Sequence, residues 1–386
     1  MPSPQRLPVA PLALLTAASF GAVTTEVLPV GLLPQLATAF DVDASAIGWW
    51  VSAYAIVVAA AAVPLTAWLA RFPRRSVLFG LLSLYALSNA AVLVAPGYGW
   101  AVAARLLGGV AHAGIFSVVV GTTVDLVPPP RRGRALAITN AGVTLALAVG
   151  VPLGTAVGTA VGWRWAFGTT SLLLAGFAVA ALLVIPRGAT RVDAEPPPAV
   201  LAALRGRRLL VVAAGTAVIT LGQYTAYTYV TPIVLSAGVP AGGVSLVLFG
   251  YGAASLAGLV VAGTLVDRHP GRSLAGAVLV VAACLLTAAA VLGSSGVAAA
   301  VVVVVVVWGA GFGGLPTVLQ TAALRASSGS DAAPAVVNAT FNVGIAGGAW
   351  LGGVLLAVDL RIPLLVGGIL AVLGLSAFRQ RRMMPA

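Results

Sequence analysis

Twelve long apolar runs follow one another along the chain, near residues 7–36, 47–69, 76–95, 100–124, 135–158, 166–185, 209–234, 244–266, 273–292, 297–319, 335–357 and 362–378. A membrane-spanning helix takes about 20 apolar residues plus a short connection, so at roughly 32 residues per span twelve spans use up the whole chain. No length remains for a large extramembrane domain, and catalytic domains are excluded on that ground. The run Val301 to Val307 resembles a strand in water, yet an isolated strand cannot satisfy its backbone in lipid, whereas a helix can. The first run, though preceded by Arg6, is too long for the core of a signal peptide and is expected to stay as the first span. The expected fold class is all-α integral membrane, with twelve transmembrane helices.

The 386 residues are 60% hydrophobic and 8% charged, with a mean hydropathy of +1.07 and a net charge of +12. In a soluble protein that basicity would suggest nucleic acid, so the placement of the charge must decide. All 21 basic residues are arginines. Arg6, Arg71, Arg74, Arg75, Arg131, Arg132, Arg134, Arg187, Arg191, Arg205, Arg207, Arg208, Arg268, Arg272, Arg325, Arg379, Arg381 and Arg382 all fall on one side of the twelve-span parse. Arg164 and Arg361 fall on the other, and Arg105 lies within a span. Positive residues mark the cytoplasmic side, so both termini are expected in the cytoplasm, and nucleic acid needs no place as a partner. The single cysteine, Cys284, sits in an apolar run as a small packing residue.

Residues 186–208, with Pro196-Pro197-Pro198 and most of the mid-chain charge, form the one plausible linker. It divides the chain into a six-helix bundle over 1–185 and another over 209–386. A single ungapped offset aligns Tyr54 with Tyr251, Arg71 with Arg268, Arg75 with Arg272, Gly114 with Gly311, Gly150 with Gly347 and Arg164 with Arg361. Units of six spans enter the membrane from the same side, so the repeat is parallel, with its axis along the membrane normal. Two such bundles around a central cavity suit a rocking transporter better than a channel or a receptor.

The stretch Thr24-Thr25-Glu26-Val27-Leu28-Pro29-Val30-Gly31-Leu32-Leu33-Pro34 resembles the first-helix signature of the major facilitator superfamily, in its twelve-span drug:proton antiporter branch of bacterial sugar, purine-nucleoside and chloramphenicol exporters. Supporting segments are Arg105-Leu106-Leu107-Gly108-Gly109, Gly150-Val151-Pro152-Leu153-Gly154, Gly162-Trp163-Arg164 and Asn338 to Asn342. The loop motif of that superfamily, a Gly followed by Asp-Arg and then by Gly-Arg, departs from pattern in the first half, where Thr66, Ala70 and Pro73 replace Gly, Asp and Gly while Arg71, Arg74 and Arg75 remain. The second-half copy keeps Gly263, Asp267, Arg268, Gly271 and Arg272, with one residue extra before Gly271. The resemblance implies alternating access, export driven by a proton gradient without any cofactor, and residence in the bacterial cytoplasmic membrane as a monomer.

Glu26 carries the strongest single signal. Counted from Pro11 at about 1.5 Å per residue, it lies roughly 22 Å into a hydrocarbon core about 30 Å thick. Arg105, entering from the opposite side at Trp100, reaches roughly 8 Å, much the same level. An ionisable group at that depth is functional by default, so Glu26 is expected to exchange a proton for substrate with Arg105 as its pairing partner; the alternative is a permanent ion pair joining the two helices. His112, seven residues after Arg105, shares its helix face and is either a third proton-handling group or a neutral packing residue. Asp125, beside the Arg131 cluster, is expected to be an interfacial ion-pair partner.

The seventh run carries a polar stripe, Thr216, Thr220, Gln223, Tyr227 and Thr231, spaced by three or four. Such a stripe faces a wet cavity or another helix rather than lipid. With Tyr54, Tyr224, Trp308, Asn338, Phe341 and Asn342 it forms the candidate lining for a weakly polar small molecule; helix–helix hydrogen bonding is the alternative for each member. Gly150, Pro152 and Gly154 on the fifth run, with Gly158 and Gly162, offer a small-residue sliding surface kinked at the proline. Arg71, Asp267 and Arg268 are the candidate gating latch. Two separated histidines and one cysteine cannot build a zinc site, and no nucleotide loop is present, so no metal and no ATP are expected. The reading is an exporter of drugs such as chloramphenicol-like antibiotics. Its rivals are a sugar or nucleoside exporter and a non-transporting membrane sensor of the same fold; an integral-membrane enzyme lacks a catalytic constellation.

Overall fold

A computed structural model describes residues 7–187, 206–266, 268–327 and 333–379. Among the described residues every regular element is helical. The first half comprises α1 (Val9–Phe40), α2 (Ala44–Leu69), α3 (Arg74–Leu93), α4 (Tyr98–Asp125), α5 (Arg132–Leu145), α6 (Val151–Val161) and α7 (Trp163–Val184). The second comprises α8 (Arg207–Tyr227), α9 (Val230–Ser236), α10 (Val244–Leu265), α11 (Pro270–Val291), α12 (Ala298–Ala326), α13 (Ala333–Leu356) and α14 (Ile362–Ser376). The pairs α5–α6 and α8–α9 each make one span, so these helices account for the twelve expected crossings. Eleven are long and apolar enough to cross by that measure, and α14, at 15 residues, is shorter. At about 1.5 Å per residue α14 reaches roughly 22 Å; the 3₁₀ turn Ala377–Arg379 that continues it adds roughly another 6 Å.

The breaks have local causes. α1 ends where Asp41 turns left-handed (φ 53°) and its N–H returns to the carbonyls of Ala37 and Thr38, a closure that satisfies otherwise orphaned acceptors. One glycine, Gly162 at φ 102°, separates α6 from α7, a reversal that a side chain would strain. Between α5 and α6 the chain widens into a π turn, Ala146–Gly150. Pro152, two residues after it, has no N–H for the carbonyl four residues back, and its ring crowds that carbonyl; a widened turn accommodates both.

The two halves repeat the same packing. α1 packs on the fifth and sixth spans, α2 on α4, and α3 on α4 and α7; correspondingly α8 packs on α13 and α14, α10 on α12, and α11 on α12 and α14. Across the halves α2 meets α13, α10 meets the π turn and α6, and α1 meets α9. The first two of those pairings exchange with one another when the halves are exchanged, as a twofold pseudo-repeat requires. Residues 188–205 of the expected linker lie outside the described residues. Large apolar side chains face outward on many helices, among them Leu87, Leu172, Leu183, Leu246 and Val260, the belt expected of a surface solvated by lipid.

The side-chain hydrogen bonds between halves, among the described residues, are Ser52 Oγ to the Ala346 carbonyl (2.8 Å) and Thr231 Oγ1 to the Val30 carbonyl (2.7 Å). Both lie toward the end that carries Asp41, Gly162 and Gly238, away from the arginine-rich loops. Gly48 of α2 packs against the Tyr229 hydroxyl in the same region, and Gly353 of α13 lies against Ser45. The halves are therefore joined at the arginine-poor end.

Candidate functional site

The centre of the first half is organised by a proline. Pro29 cannot donate to the carbonyl of Thr25, four residues earlier in α1, and that carbonyl accepts from Arg105 Nη1 at 2.9 Å. Arg105 Nη2 reaches the next carbonyl, that of Glu26, at 3.2 Å. The guanidinium lies over the Tyr54 ring, 4.5 Å from its centroid, and Arg105 is 1% exposed. A buried arginine is costly unless its donors and its charge are engaged; two backbone dipoles and one aromatic face engage the Nη atoms and the charge here, while Nε is buried without a protein partner.

The expected Glu26–Arg105 pairing is thus made through the backbone of Glu26 and not through its carboxylate. Its partner is His112, whose Nε2 stands 3.8 Å from Glu26 Oε2, with both side chains largely buried. His112 is held on its other sides by Phe116, whose ring lies 4.9 Å away, and by the edges of Tyr54 and Tyr85. Tyr85 sits at the hub: its hydroxyl donates to the Ala22 carbonyl (3.0 Å), bonds the Tyr54 hydroxyl, and lies 3.5 Å from His112 Nδ1. Asn89, one turn on, bonds Thr25 Oγ1 at 3.5 Å. Four helices, α1 to α4, converge on one buried carboxyl.

The second half carries an aromatic cluster in the equivalent place. Gln223 Oε1 accepts from Trp308 Nε1 at 2.7 Å, and its amide Nε2 donates to the Tyr251 hydroxyl at 3.0 Å. Tyr227 lies over Tyr251, with centroids 4.9 Å apart, and meets Trp308 edge-on at 5.9 Å. Tyr224 and Phe312 extend the cluster. The offset that sets Tyr54 on Tyr251 also sets Glu26 on Gln223. A carboxyl beside a tyrosine in one half is matched by an amide beside a tyrosine in the other.

Other candidates are dispersed. Tyr54 belongs to the Glu26 cluster rather than to the aromatic one. Gln223, Tyr227 and Trp308 are buried, Tyr224 and Phe341 are partly exposed, and Asn338 is exposed. Asn342 donates to the Asn338 carbonyl at 3.0 Å, and its own Oδ1 is buried without a protein partner, as are the hydroxyls of Thr216 and Thr220. Gly150 and Gly154 pack against Thr24 and Leu28 of α1, so that stripe is a seam within the first half. The cross-half approach near Pro152 is instead Gly252 of α10, against the backbone of Leu147 and Ala148 in the π turn. Arg71 and Arg268 are exposed, and Asp267 lies outside the described residues. Asp125 pairs with Arg74 at 3.6 Å. Tyr85, Asn89, Tyr251 and Phe312 are site residues that sequence reasoning missed; only Tyr251 carried a signal, its repeat match to Tyr54.

With this geometry in place, comparison with known proteins is decisive for the family. The Major Facilitator Superfamily pattern matches residues 13–333. The chain belongs to that superfamily. A chloramphenicol efflux pump of Mycobacterium tuberculosis is 32% identical over 367 residues, covering 92% of this chain and 87% of the relative. A probable sugar efflux transporter of Helicobacter acinonychis is 27% identical over 362 residues, covering 92% of this chain and 90% of the relative. Among solved structures, a bacterial homolog of the human lysosomal transporter Spinster, crystallised inward-facing and unoccupied, superposes with a TM-score of 0.76 at 14% identity, covering 97% of this chain and 96% of that one. That likeness establishes the fold. The protein is a multi-pass membrane transporter of this superfamily.

Proposed function

We propose that the protein is a proton-driven exporter of small, weakly polar organic molecules, working as a monomer by alternating access, with Glu26 as the group that exchanges a proton for substrate. The observation that carries this reading is a largely buried carboxyl in the first half, backed by an arginine that grips its backbone and faced by an imidazole. An ionisable group kept at such cost inside a membrane is functional by default. The arginine-rich face is cytoplasmic by the positive-inside rule, which puts both termini in the cytoplasm of a bacterial cell. Closure at the opposite face then makes this the inward-facing state. Aromatic side chains on the second half favour a flat, largely apolar substrate, and chloramphenicol-like drugs are the leading class because of the mycobacterial relative. The second reading, a sugar or nucleoside, draws on Asn338, Asn342 and the Helicobacter relative. Nothing in this scheme uses a cofactor or makes the chain an enzyme.

The test is a substrate panel in energised everted vesicles, with dissipation of the proton gradient as the signal. Chloramphenicol is expected to dissipate the gradient with the wild type, while Glu26→Gln still binds drug but moves no protons. Substrate-stimulated proton release that survives in Glu26→Gln would overturn the assignment, and silence across drugs, sugars and nucleosides would favour a sensor.

A further inference from the structure

The hydrogen-bond geometry around Tyr85 fixes more than packing. A phenol has one proton to give and two lone pairs to offer. The Tyr85 hydroxyl is 3.0 Å from the Ala22 carbonyl, which can only accept, so its proton is committed there. The lone pairs of the Tyr85 oxygen are then open to its other two neighbours, the Tyr54 hydroxyl and His112 Nδ1 at 3.5 Å, and the Ala22 carbonyl is itself a second acceptor for His112. Tyr54 can donate to the Tyr85 oxygen with its own proton. His112 can donate there only as the tautomer protonated at Nδ1, which leaves Nε2 bare in the neutral ring. Nε2 is the atom that faces Glu26 Oε2 at 3.8 Å.

We propose that Tyr85 is a positioning residue that locks His112 in the Nδ1–H tautomer and so presents an unprotonated nitrogen to the Glu26 carboxyl, making His112 the acceptor of the proton that Glu26 gives up. This rests on the reading of Glu26 as the proton site. The balance is simple: the O–H bond of the neutral Glu26 carboxyl breaks, an N–H bond forms at Nε2, and neutral acid plus neutral base become carboxylate plus imidazolium. The opposite tautomer would set an N–H against the protonated carboxyl and have no lone pair to receive its proton. The titratable or charged groups facing His112 are Glu26 from α1, Tyr54 from α2, Tyr85 from α3 and Arg105 from its own helix. The arginines of α5, Arg132 and Arg134, sit in its first turn, at the arginine-rich end. Arg105, fixed on the Thr25 and Glu26 carbonyls, keeps its charge in place throughout and takes no part in the transfer.

The chain has only two histidines, His112 and the exposed His269, so the tautomer can be observed directly. Histidine-selective ¹⁵N labelling of the full chain in lipid nanodiscs, with His269→Gln to assign the signals, is expected to report His112 protonated at Nδ1 alone at high pH. In Tyr85→Phe, which keeps the ring and removes the oxygen, the signal should become a mixture or switch to Nε2–H. The midpoint of drug-stimulated proton release should move by about half a pH unit or more, the size expected when one hydrogen bond that favours one protonation state is lost. Tyr54→Phe, which leaves the Tyr85 oxygen in place, should keep the wild-type tautomer. Wild-type His112 protonated at Nε2, or a Tyr85→Phe protein with unchanged tautomer and pH profile, would overturn the proposal, and the first of these needs no variant to fold. Failure of Glu26→Gln to uncouple transport would instead remove the proton-site reading and leave the tautomer result standing.

Discussion

Alternating access, as proposed, requires the halves to part at the arginine-poor end, and Thr231 and Pro34 make a testable pair at that gate. Pro34 has no N–H for the carbonyl of Val30, four residues earlier in α1, and Thr231 Oγ1 from the other half supplies the missing donor at 2.7 Å. Thr231→Val keeps the side-chain shape and leaves that carbonyl buried without its donor while the gate is closed. An orphaned buried acceptor costs about 1–3 kcal/mol, and water can satisfy it once the gate opens. A central value of about 2 kcal/mol shifts the open-to-closed ratio by roughly thirtyfold. In a Pro34→Ala background the backbone N–H restored by the substitution returns to the Val30 carbonyl, and Thr231→Val then removes only an ordinary hydrogen bond worth about 0.5–1 kcal/mol, a few-fold shift. The assay is a distance distribution between spin labels at exposed Ala39 and Ala241 in a Cys284→Ala background, for all four members of the cycle. A cycle isolates the coupling between the two positions. Equal shifts from Thr231→Val with Pro34 intact and with Pro34→Ala would refute the idea that the proline creates the acceptor that holds the gate.

Two more substitutions probe the contact between the halves and the second-half cluster. Gly252→Ala sets a methyl group against the Leu147–Ala148 backbone, where no rotamer gives relief; overpacking of this kind costs about 1–3 kcal/mol, so thermal stability and transport should both fall, whereas Gly263→Ala, with nothing within 4 Å of the added carbon, should change neither, and an unaffected Gly252→Ala protein would refute the close approach. Gln223→Glu places a carboxyl at the repeat equivalent of Glu26; Trp308 can still donate to it and the Tyr251 hydroxyl can turn from acceptor to donor, so the fold should hold while the pH profile of transport gains a second transition, and a superimposable profile would show that the second-half site does not communicate with the transported proton.

The spans were legible because hydrocarbon leaves the backbone few options. Apolar length alone placed the helices, and α4 and α11 end within three residues of the expected runs. The turn inside the fifth span was legible as a kink at Pro152, though not as a π turn, since the proline's effect depends on what α10 allows beside it. Depth along a helix axis brought Glu26 and Arg105 to one level. It could not supply the direction of either side chain, which is why the contact is carbonyl-to-guanidinium and the carboxyl faces His112. Tyr85 was invisible for a related reason: one tyrosine in an apolar run has no spacing signature, and its role comes from three partners on α1, α2 and α4. The acceptors at Thr25 and Val30 were readable in principle as the carbonyls four residues before Pro29 and Pro34; their donors, Arg105 and Thr231, were not.

The repeat explains why one half can hold a cluster of ionisable groups and the other cannot. Packing is duplicated span by span, yet the offset that aligns Glu26 with Gln223 aligns Arg105 with Val302, His112 with Gly309 and Phe116 with Gly313. In the second half Gly309 and Gly313 of α12 pack against the backbone of Tyr251 and Ser255, and Ser255 Oγ bonds the Gly309 carbonyl at 2.9 Å. A side chain at either glycine would collide with α10 main chain. In the first half the same two positions hold stacked rings, His112 and Phe116, so the interface of α2 and α4 has room for an imidazole and a guanidinium between the helices. The second half gives up that room for backbone contact and retains an amide whose Oε1 and Nε2 are both bonded. A neutral amide with satisfied hydrogen bonds has no proton to exchange at physiological pH. The buried ionisable cluster is thereby confined to the half built around Glu26, and the half built around Gln223 presents a neutral, hydrogen-bonded aromatic cluster in its place.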